Sequence, residues 1–98
     1  MYIIVKTENF VELFNKLDNS VQLRFNRLFE LLKTNPYGIG KPIRTRWFRE
    51  LKVNKFRVYY SIKDEKVSVL LLSVSDKKNQ QETIDKIYSD LEEIMKNI

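Results

Sequence analysis

Two stretches near the N-terminus carry apolar residues at the i, i+3, i+4, i+7 spacing of one helical face. The first set is Phe10, Leu13, Phe14 and Leu17, and the second is Phe25, Leu28, Phe29 and Leu32. Helices are therefore predicted over residues 8–18 and 20–33, with Thr7 and Ser20 as their N-caps. The connection between them is short, so we expect an antiparallel helical hairpin.

The middle of the chain follows the two-residue period of β-strands. Apolar residues alternate with polar ones in Phe56–Ile62 and in Trp47–Val53, which predicts strands with one buried face. Val67–Val74 is nearly all apolar, as expected of a central strand covered on both faces. Asn54-Lys55 and Asp64-Glu65 are predicted to be tight turns. Residues 44–75 are thus predicted to form an antiparallel meander whose second face is open, basic and aromatic.

Three other segments complete the predicted order. Residues 1–6 are β-branched and aromatic, which favours a strand, and residues 36–43 hold both prolines and both glycines, which favours a loop. Residues 79–96 are predicted to form an amphipathic helix; its apolar stripe is Ile84, Ile87, Tyr88, Leu91, Ile94, Met95 and Ile98. The predicted fold class is α+β over residues 1–98 as a single domain. This fold has two layers. Its element order is a strand, two helices, an antiparallel meander of three or more strands and an additional C-terminal helix, with the first strand beside the last.

The C-terminal helix must bury its apolar stripe, because an isolated amphipathic helix is not stable in water. The favoured expectation is docking within the molecule, at the edge of the domain. A homodimer formed through this apolar stripe remains an alternative.

Composition limits the chemistry. The 98 residues include no cysteine and no histidine, which removes disulfides, thiolate sites, the commonest neutral-pH base and the commonest zinc ligand. No metal site and no cofactor are expected. No apolar run approaches the roughly 20 residues of a membrane span, and no signal peptide is recognised, so a cytoplasmic protein without a membrane partner is expected.

The net charge of +5 is concentrated on the meander. Residues 44–78 carry ten basic and four acidic side chains, whereas residues 79–98 carry two basic and five acidic ones. A positive field of this kind is typical of proteins that bind polyanions. Arginine favours phosphate because its planar fork binds oxygen pairs, although a merely solvated lysine-rich face remains an alternative.

At this point the chain resembles a known family. The segments Arg49–Lys52, Phe56–Tyr60, Asp64–Val67 and Ser73–Lys78, in this order, are similar to the RelE/ParE superfamily of toxin–antitoxin toxins. The resemblance covers nearly the whole chain. For relatives of RelE it implies metal-independent mRNA cleavage in the ribosomal A site, by attack of the ribose 2′-hydroxyl on the adjacent phosphate. It also implies a cognate antitoxin, with the ribosome and mRNA as further partners. The antitoxin is then a third alternative for docking of the C-terminal helix, because toxins of this family commonly offer a groove to an amphipathic helix.

The resemblance also assigns residues. Arg57 matches the family's central arginine, Lys52 and Lys77 match basic positions beside it, and Tyr59 shares the strand face of Arg57 and is expected to stack on a base. These four are the candidate catalytic residues, with arginine and lysine stabilising the phosphorane charge and a lysine of lowered pKa as base. The candidate nucleic-acid-binding residues are Arg44, Arg46, Arg49, Lys55 and Lys78.

Three alternatives remain open. RNA-cutting members often carry a tyrosine shortly after the last basic position, but residues 79–84 contain none, and Tyr88 is assigned to the core. The alternative role of Arg57 is a structural ion pair with Glu50. A ParE-like gyrase poison and a catalytically inactive binding module on the same fold are the other function classes.

Overall fold

A five-stranded sheet with helices on both faces forms the centre of the protein. The computed structural model describes residues 1–96, apart from the side chains of residues 92 and 94–96. The elements in chain order are β1 (Ile3–Lys6), α1 (Glu8–Phe14), α2 (Asn19–Leu32), β2 (Lys41–Ile43), β3 (Thr45–Val53), β4 (Phe56–Lys63), a 3-10 turn (Asp64–Lys66), β5 (Ser68–Asp76) and α3 (Gln80–Lys96). The strand order is β1-β5-β4-β3-β2, with β1 parallel to β5 and the other pairs antiparallel. The predicted α+β class and the place of the first strand beside the last are confirmed.

One face of the sheet is covered by α1 and α2. The predicted helical stripes bury their phenylalanine rings against Val58, Tyr60 and Ile62 of β4. The rings of Phe10 and Phe14 are stacked at 5.0 Å between centroids, and Phe10 meets Phe29 edge to face at 5.8 Å. Apolar burial of this kind contributes about 25 cal/mol per Å² and holds this layer to the meander.

The other face of the sheet is covered by α3. Ile84, Ile87 and Leu91 are buried there, against a strip formed by Phe48, Tyr59, Leu70 and Leu72. Docking within the molecule is therefore confirmed for these residues, but on the second face of the sheet rather than at the edge of the domain. The prediction that this face is open is wrong where α3 lies. Of the predicted apolar stripe, the Ile94 and Met95 side chains and all of Ile98 lie outside the described residues.

Local signals predicted most element ends but missed some. Thr7 is the N-cap of α1, with its Oγ1 accepting from the Phe10 amide at 3.2 Å, whereas α2 begins after Asp18 and not after Ser20. The Asn54-Lys55 turn is confirmed, with Asn54 at φ 54°. The second turn is longer than predicted, because it includes the 3-10 turn and Val67 at φ 47°. Strand β2 lies in the segment predicted to be a loop.

Candidate active site and nucleic-acid interface

A row of three polar residues crosses the sheet at one end. The strand register pairs Lys52 of β3 with Arg57 of β4, and Arg57 with Ser75 of β5. Paired residues in antiparallel strands lie side by side with their side chains on the same face. The row lies on the α3 face, on the side of the sheet where α3 begins.

Arg57 is held in place but is not neutralised. Its side chain is buried, and its only hydrogen bonds to the described protein groups run from Nη1 to the carbonyls of Asn54 and Phe56, at 3.4 and 3.5 Å. No described carboxylate lies within 4.0 Å of its guanidinium, so the alternative ion pair with Glu50 is not formed. Among the described residues no buried polar side-chain atom lacks a partner. The Nε and Nη2 donors of Arg57 are therefore accessible to a ligand.

An open cleft of about 460 Å³ lies beside Arg57; its walls are Gly40, Lys41, Glu50, Lys52, Arg57 and Gln80. Gly40 closes one side because it adopts φ +78° and because a Cβ there would lie 2.5 Å from the hydroxyl oxygen of Tyr60. Only glycine allows this approach, which sets the position of Lys41 at the cleft wall. Three cations thus line one cleft, with Glu50 as its acidic residue.

A second shallow cleft continues the positive surface around the end of the sheet. It is lined by Lys55, Asp76, Lys77 and Lys78. Asp76 shapes this turn, since its Oδ1 accepts from the backbone amide and the side-chain amide of Asn79 at 2.9 and 3.1 Å. We name the residues around the two clefts the basic end: Lys52, Lys55, Arg57, Lys77 and Lys78.

Tyr59 is not available for stacking on a base. Its side chain is fully buried under α3, and its hydroxyl is 2.7 Å from Ser75 Oγ. Burial raises the pKa of Tyr59, and the hydrogen bond to Ser75 opposes this shift. Its predicted stacking role is therefore corrected: Tyr59 supports the site from beneath, because it packs α3 against the sheet.

Arg49 is also corrected, from nucleic-acid binding to a structural role. It is buried, with Nε donating to the Tyr60 hydroxyl at 3.2 Å, Nη1 to the Arg46 carbonyl at 3.0 Å and Nη2 to the Tyr37 carbonyl at 2.8 Å. A further bond reaches the Gly40 carbonyl. Arg49 therefore fixes the loop that precedes β2, and its donors are used within the protein.

Arg44 and Arg46 lie away from the basic end. Arg44 adopts φ 61° and donates from Nη2 to Asp85 Oδ1 of α3 at 2.6 Å, with its guanidinium 4.9 Å from the Tyr88 ring. Arg46 stacks over Tyr37 at 4.0 Å. Lys52 lies six positions after Arg46 along β3, which is about 20 Å at roughly 3.3 Å per residue. The structure therefore divides the predicted nucleic-acid-binding residues into separate groups.

The far end of the sheet holds a tyrosine–aspartate cluster. Asp64 accepts hydrogen bonds from the hydroxyls of Tyr2 and Tyr37, at 2.8 and 2.7 Å. The bond from Tyr37, followed by that from Tyr2, lowers the pKa of Asp64. Burial, with help from Asp64, raises the pKa of Tyr37 to about 12. This cluster ties the loop before β2 to the first strand and to the turn after β4.

The sequence analysis assigned Lys52 and Arg57 to this cleft and missed Gly40, Lys41, Glu50 and Gln80. Glu50 shares the strand parity of Lys52, so the period of β3 already places it on the site face. Gln80 carried no such signal, because the position of α3 on the sheet depends on tertiary packing. Tyr88, assigned to the core, is half-buried with its ring 5.9 Å from that of Phe48.

Two negative findings apply to residues 1–96. No three His, Cys, Asp or Glu side chains that the structure describes are grouped as a metal site would require. None of its helices has the length and apolarity to cross a membrane.

Comparison with known proteins identifies the fold. No protein-family model and no curated protein matches the chain. Among solved structures, the isolated E. coli RelE toxin is similar at a TM-score of 0.67 and 22% identity, covering 89% of this chain and 99% of that chain. The E. coli RelBE toxin–antitoxin complex is similar at a TM-score of 0.69 and 22% identity, covering 78% of this chain and 96% of that chain. The RelBE2 complex of Mycobacterium tuberculosis is similar at a TM-score of 0.66 and 24% identity, covering 76% of this chain and 96% of that chain. The chain therefore has the fold of the RelE toxins.

Proposed function

We propose that this protein is the toxin of a toxin–antitoxin pair and that it inhibits translation by cutting mRNA in the ribosome, in the cytoplasm. The fold supports the toxin role, since similar structures are RelE toxins, several of them in complex with a RelB antitoxin. A cognate antitoxin is accordingly the proposed protein partner.

The observation that carries the nuclease proposal is the state of Arg57. Its guanidinium is buried, unpaired with any described carboxylate, and faces a cleft beside Lys52. A cation with free donors in a shielded position suits the charge that develops on a phosphorane, because preorganised donors stabilise that charge without reorganisation. A solvated surface arginine gains much less from this effect.

The basic end also supplies a path for the RNA strand. Lys55, Lys77 and Lys78 lie next to the Arg57 cleft and are exposed, so they are free to contact successive phosphates. Such contacts position the strand without reading its sequence. In this mechanism the ribose 2′-oxygen attacks the adjacent phosphorus, the bond to the 5′-oxygen breaks, and Arg57 and Lys52 stabilise the intermediate charge.

Inducible expression in bacteria tests this function. We expect growth arrest with new mRNA 5′ ends that primer extension maps within codons, and no DNA breaks when gyrase complexes are trapped. Arg57→Ala should abolish both arrest and the new ends. Gyrase-linked DNA breaks without mRNA ends would support the ParE-like alternative, and the absence of any arrest would support an inactive binding module.

A further inference from the structure

Glu50 occupies an unusual position for an acidic side chain in a cationic cleft. It lines the cleft with Lys41, Lys52 and Arg57, yet no ion pair within 4.0 Å joins it to any of them. Its Oε2 instead accepts a hydrogen bond from Gln80 Nε2 at 3.1 Å. Within the described part of the chain, its Oε1 has no partner. The carboxylate is thus oriented from one side and free on the other.

The register of β3 and β4 fixes how Glu50 and Arg57 are arranged. Glu50 pairs with Tyr59, and Lys52 pairs with Arg57, so Glu50 and Arg57 are diagonal neighbours on one face. Diagonal positions are about 7–8 Å apart. Because the two side chains do not close into an ion pair, a phosphodiester has room between the carboxylate and the guanidinium.

We propose that Glu50 is the general base of the cleavage reaction and that Gln80 is its positioning residue. This assignment rests on the proposed ribonuclease function and deepens it. Glu50 Oε1 removes the proton of the ribose 2′-hydroxyl while the 2′-oxygen bonds to phosphorus. The bond from phosphorus to the 5′-oxygen breaks, and the 5′-oxygen takes a proton from the Lys52 ammonium or from water. The products are a 2′,3′-cyclic phosphate and a 5′-hydroxyl.

Gln80 gives this base its orientation. A single donor on Oε2 leaves the lone pairs of Oε1 directed at the substrate and limits rotation of the carboxylate. Gln80 is the first residue of α3, so the helix that packs over Tyr59 also reaches the reacting group. The docked position of α3 therefore contributes to the orientation of the proposed base.

Single-turnover cleavage of a labelled mRNA on 70S ribosomes, with excess protein, tests the assignment. Glu50→Gln keeps the shape and an oxygen that can accept from Gln80, but it removes the basic oxygen. We expect it to slow cleavage by about 10²–10⁴-fold. Glu12→Gln, which makes the same charge change on the exposed surface of α1, is the matched control and should cut at the wild-type rate.

Chemical rescue separates a catalytic role from a structural one. In Glu50→Ala, added sodium formate should restore cleavage in proportion to its concentration, whereas sodium chloride of equal ionic strength should not. Gln80→Ala should slow the wild-type reaction about tenfold, as for loss of one hydrogen bond, but should have no effect in the Glu50→Ala background.

The outcomes distinguish the two proposals. If the wild-type protein cuts mRNA and Arg57→Ala does not, but Glu50→Gln cuts at the wild-type rate, Glu50 is not the base and the ribonuclease function stands. Loss of cleavage in Glu50→Ala without rescue by formate also overturns the assignment and leaves Glu50 a structural role. If the wild-type protein does not cut, the proposed function itself fails.

Discussion

Lys52 and Arg57 lie directly opposite each other on β3 and β4, and neither forms an ion pair with a carboxylate that the structure describes. Like charges at paired strand positions destabilise a sheet. Local violations of folding rules concentrate at functional sites, where another requirement outweighs stability. An anion bound between the two side chains would remove the repulsion, so this pair favours a phosphate ligand over a merely solvated surface.

The first prediction concerns Arg57. Arg57→Ala should lower the single-turnover cleavage rate by roughly 10²–10³-fold, because a preorganised donor to the transition state is lost. Its thermal midpoint should change little, since only two long hydrogen bonds are removed. Arg27→Ala, an exposed arginine of α2, is the control. A large fall in the midpoint together with the rate would indicate a structural arginine instead.

The second prediction concerns the lysines of the basic end. Affinity for a single-stranded RNA oligonucleotide should fall with salt, with a log–log slope of about −0.7 for each phosphate neutralised. The double variant Lys77→Ala/Lys78→Ala should make this slope shallower by about 1.4 in fluorescence anisotropy titrations. Lys16→Ala, in the turn between α1 and α2, should leave it unchanged. An unchanged slope in the double variant would show that these lysines are only solvated.

The third prediction concerns the packing of α3. Ile87→Ala should lower the free energy of unfolding by about 2–5 kcal/mol, because Ile87 is buried against the sheet. Leu23→Ala, at a side chain that is 55% exposed on α2, should have little effect. Urea denaturation measures both variants. If Ile87→Ala has no more effect than Leu23→Ala, α3 is not docked as described.

The fourth prediction concerns pH. The hydroxyls of Tyr37 and Tyr2 lower the pKa of Asp64, so this group contributes stability above its ordinary pKa of 3.8 that is lost as pH falls through the lowered folded value. Asp64→Asn should therefore unfold more easily than wild type at pH 7, and the difference should shrink as the pH falls below 3.8. In ultraviolet titration one tyrosine should ionise near pH 12, and Tyr37→Phe should remove it. If the stability difference between Asp64→Asn and wild type stayed constant over the acidic range, Asp64 would not be stabilised by these tyrosine hydroxyls as described.

Sequence periodicity predicted the elements well because each has one strongly apolar face. The alternation in Phe56–Ile62 placed Val58 and Tyr60 in the core and Arg57 on the other face, as observed. The same alternation also predicts the position of Arg49, although the sequence analysis did not use it. Arg49 is two residues from Leu51 on β3, so both side chains lie on the sheet face that α1 and α2 cover. Its hydrogen bonds to the loop explain why an arginine is accepted there.

Contacts between segments that are distant in the chain could not be predicted from the sequence. Whether Tyr59 is open or buried depends on where α3 docks, and an amphipathic stripe specifies that a helix must pack but not on which surface. The same contact brings Gln80 to Glu50. Within the candidate site, the sequence therefore predicted Lys52 and Arg57, which lie on one hairpin. It did not predict Gln80, which reaches the site only because α3 docks on the sheet.

Attack by the ribose 2′-hydroxyl is tested by comparing cleavage of a ribose-containing mRNA with cleavage of the same mRNA carrying 2′-deoxynucleotides at the A-site codon. Both are placed on 70S ribosomes with an empty A site and mixed with excess wild-type protein. We expect cleavage within the codon of the ribose mRNA only, giving a 2′,3′-cyclic phosphate and a 5′-hydroxyl. An uncut ribose mRNA, or equal cleavage of the deoxy mRNA, would contradict attack by the 2′-hydroxyl.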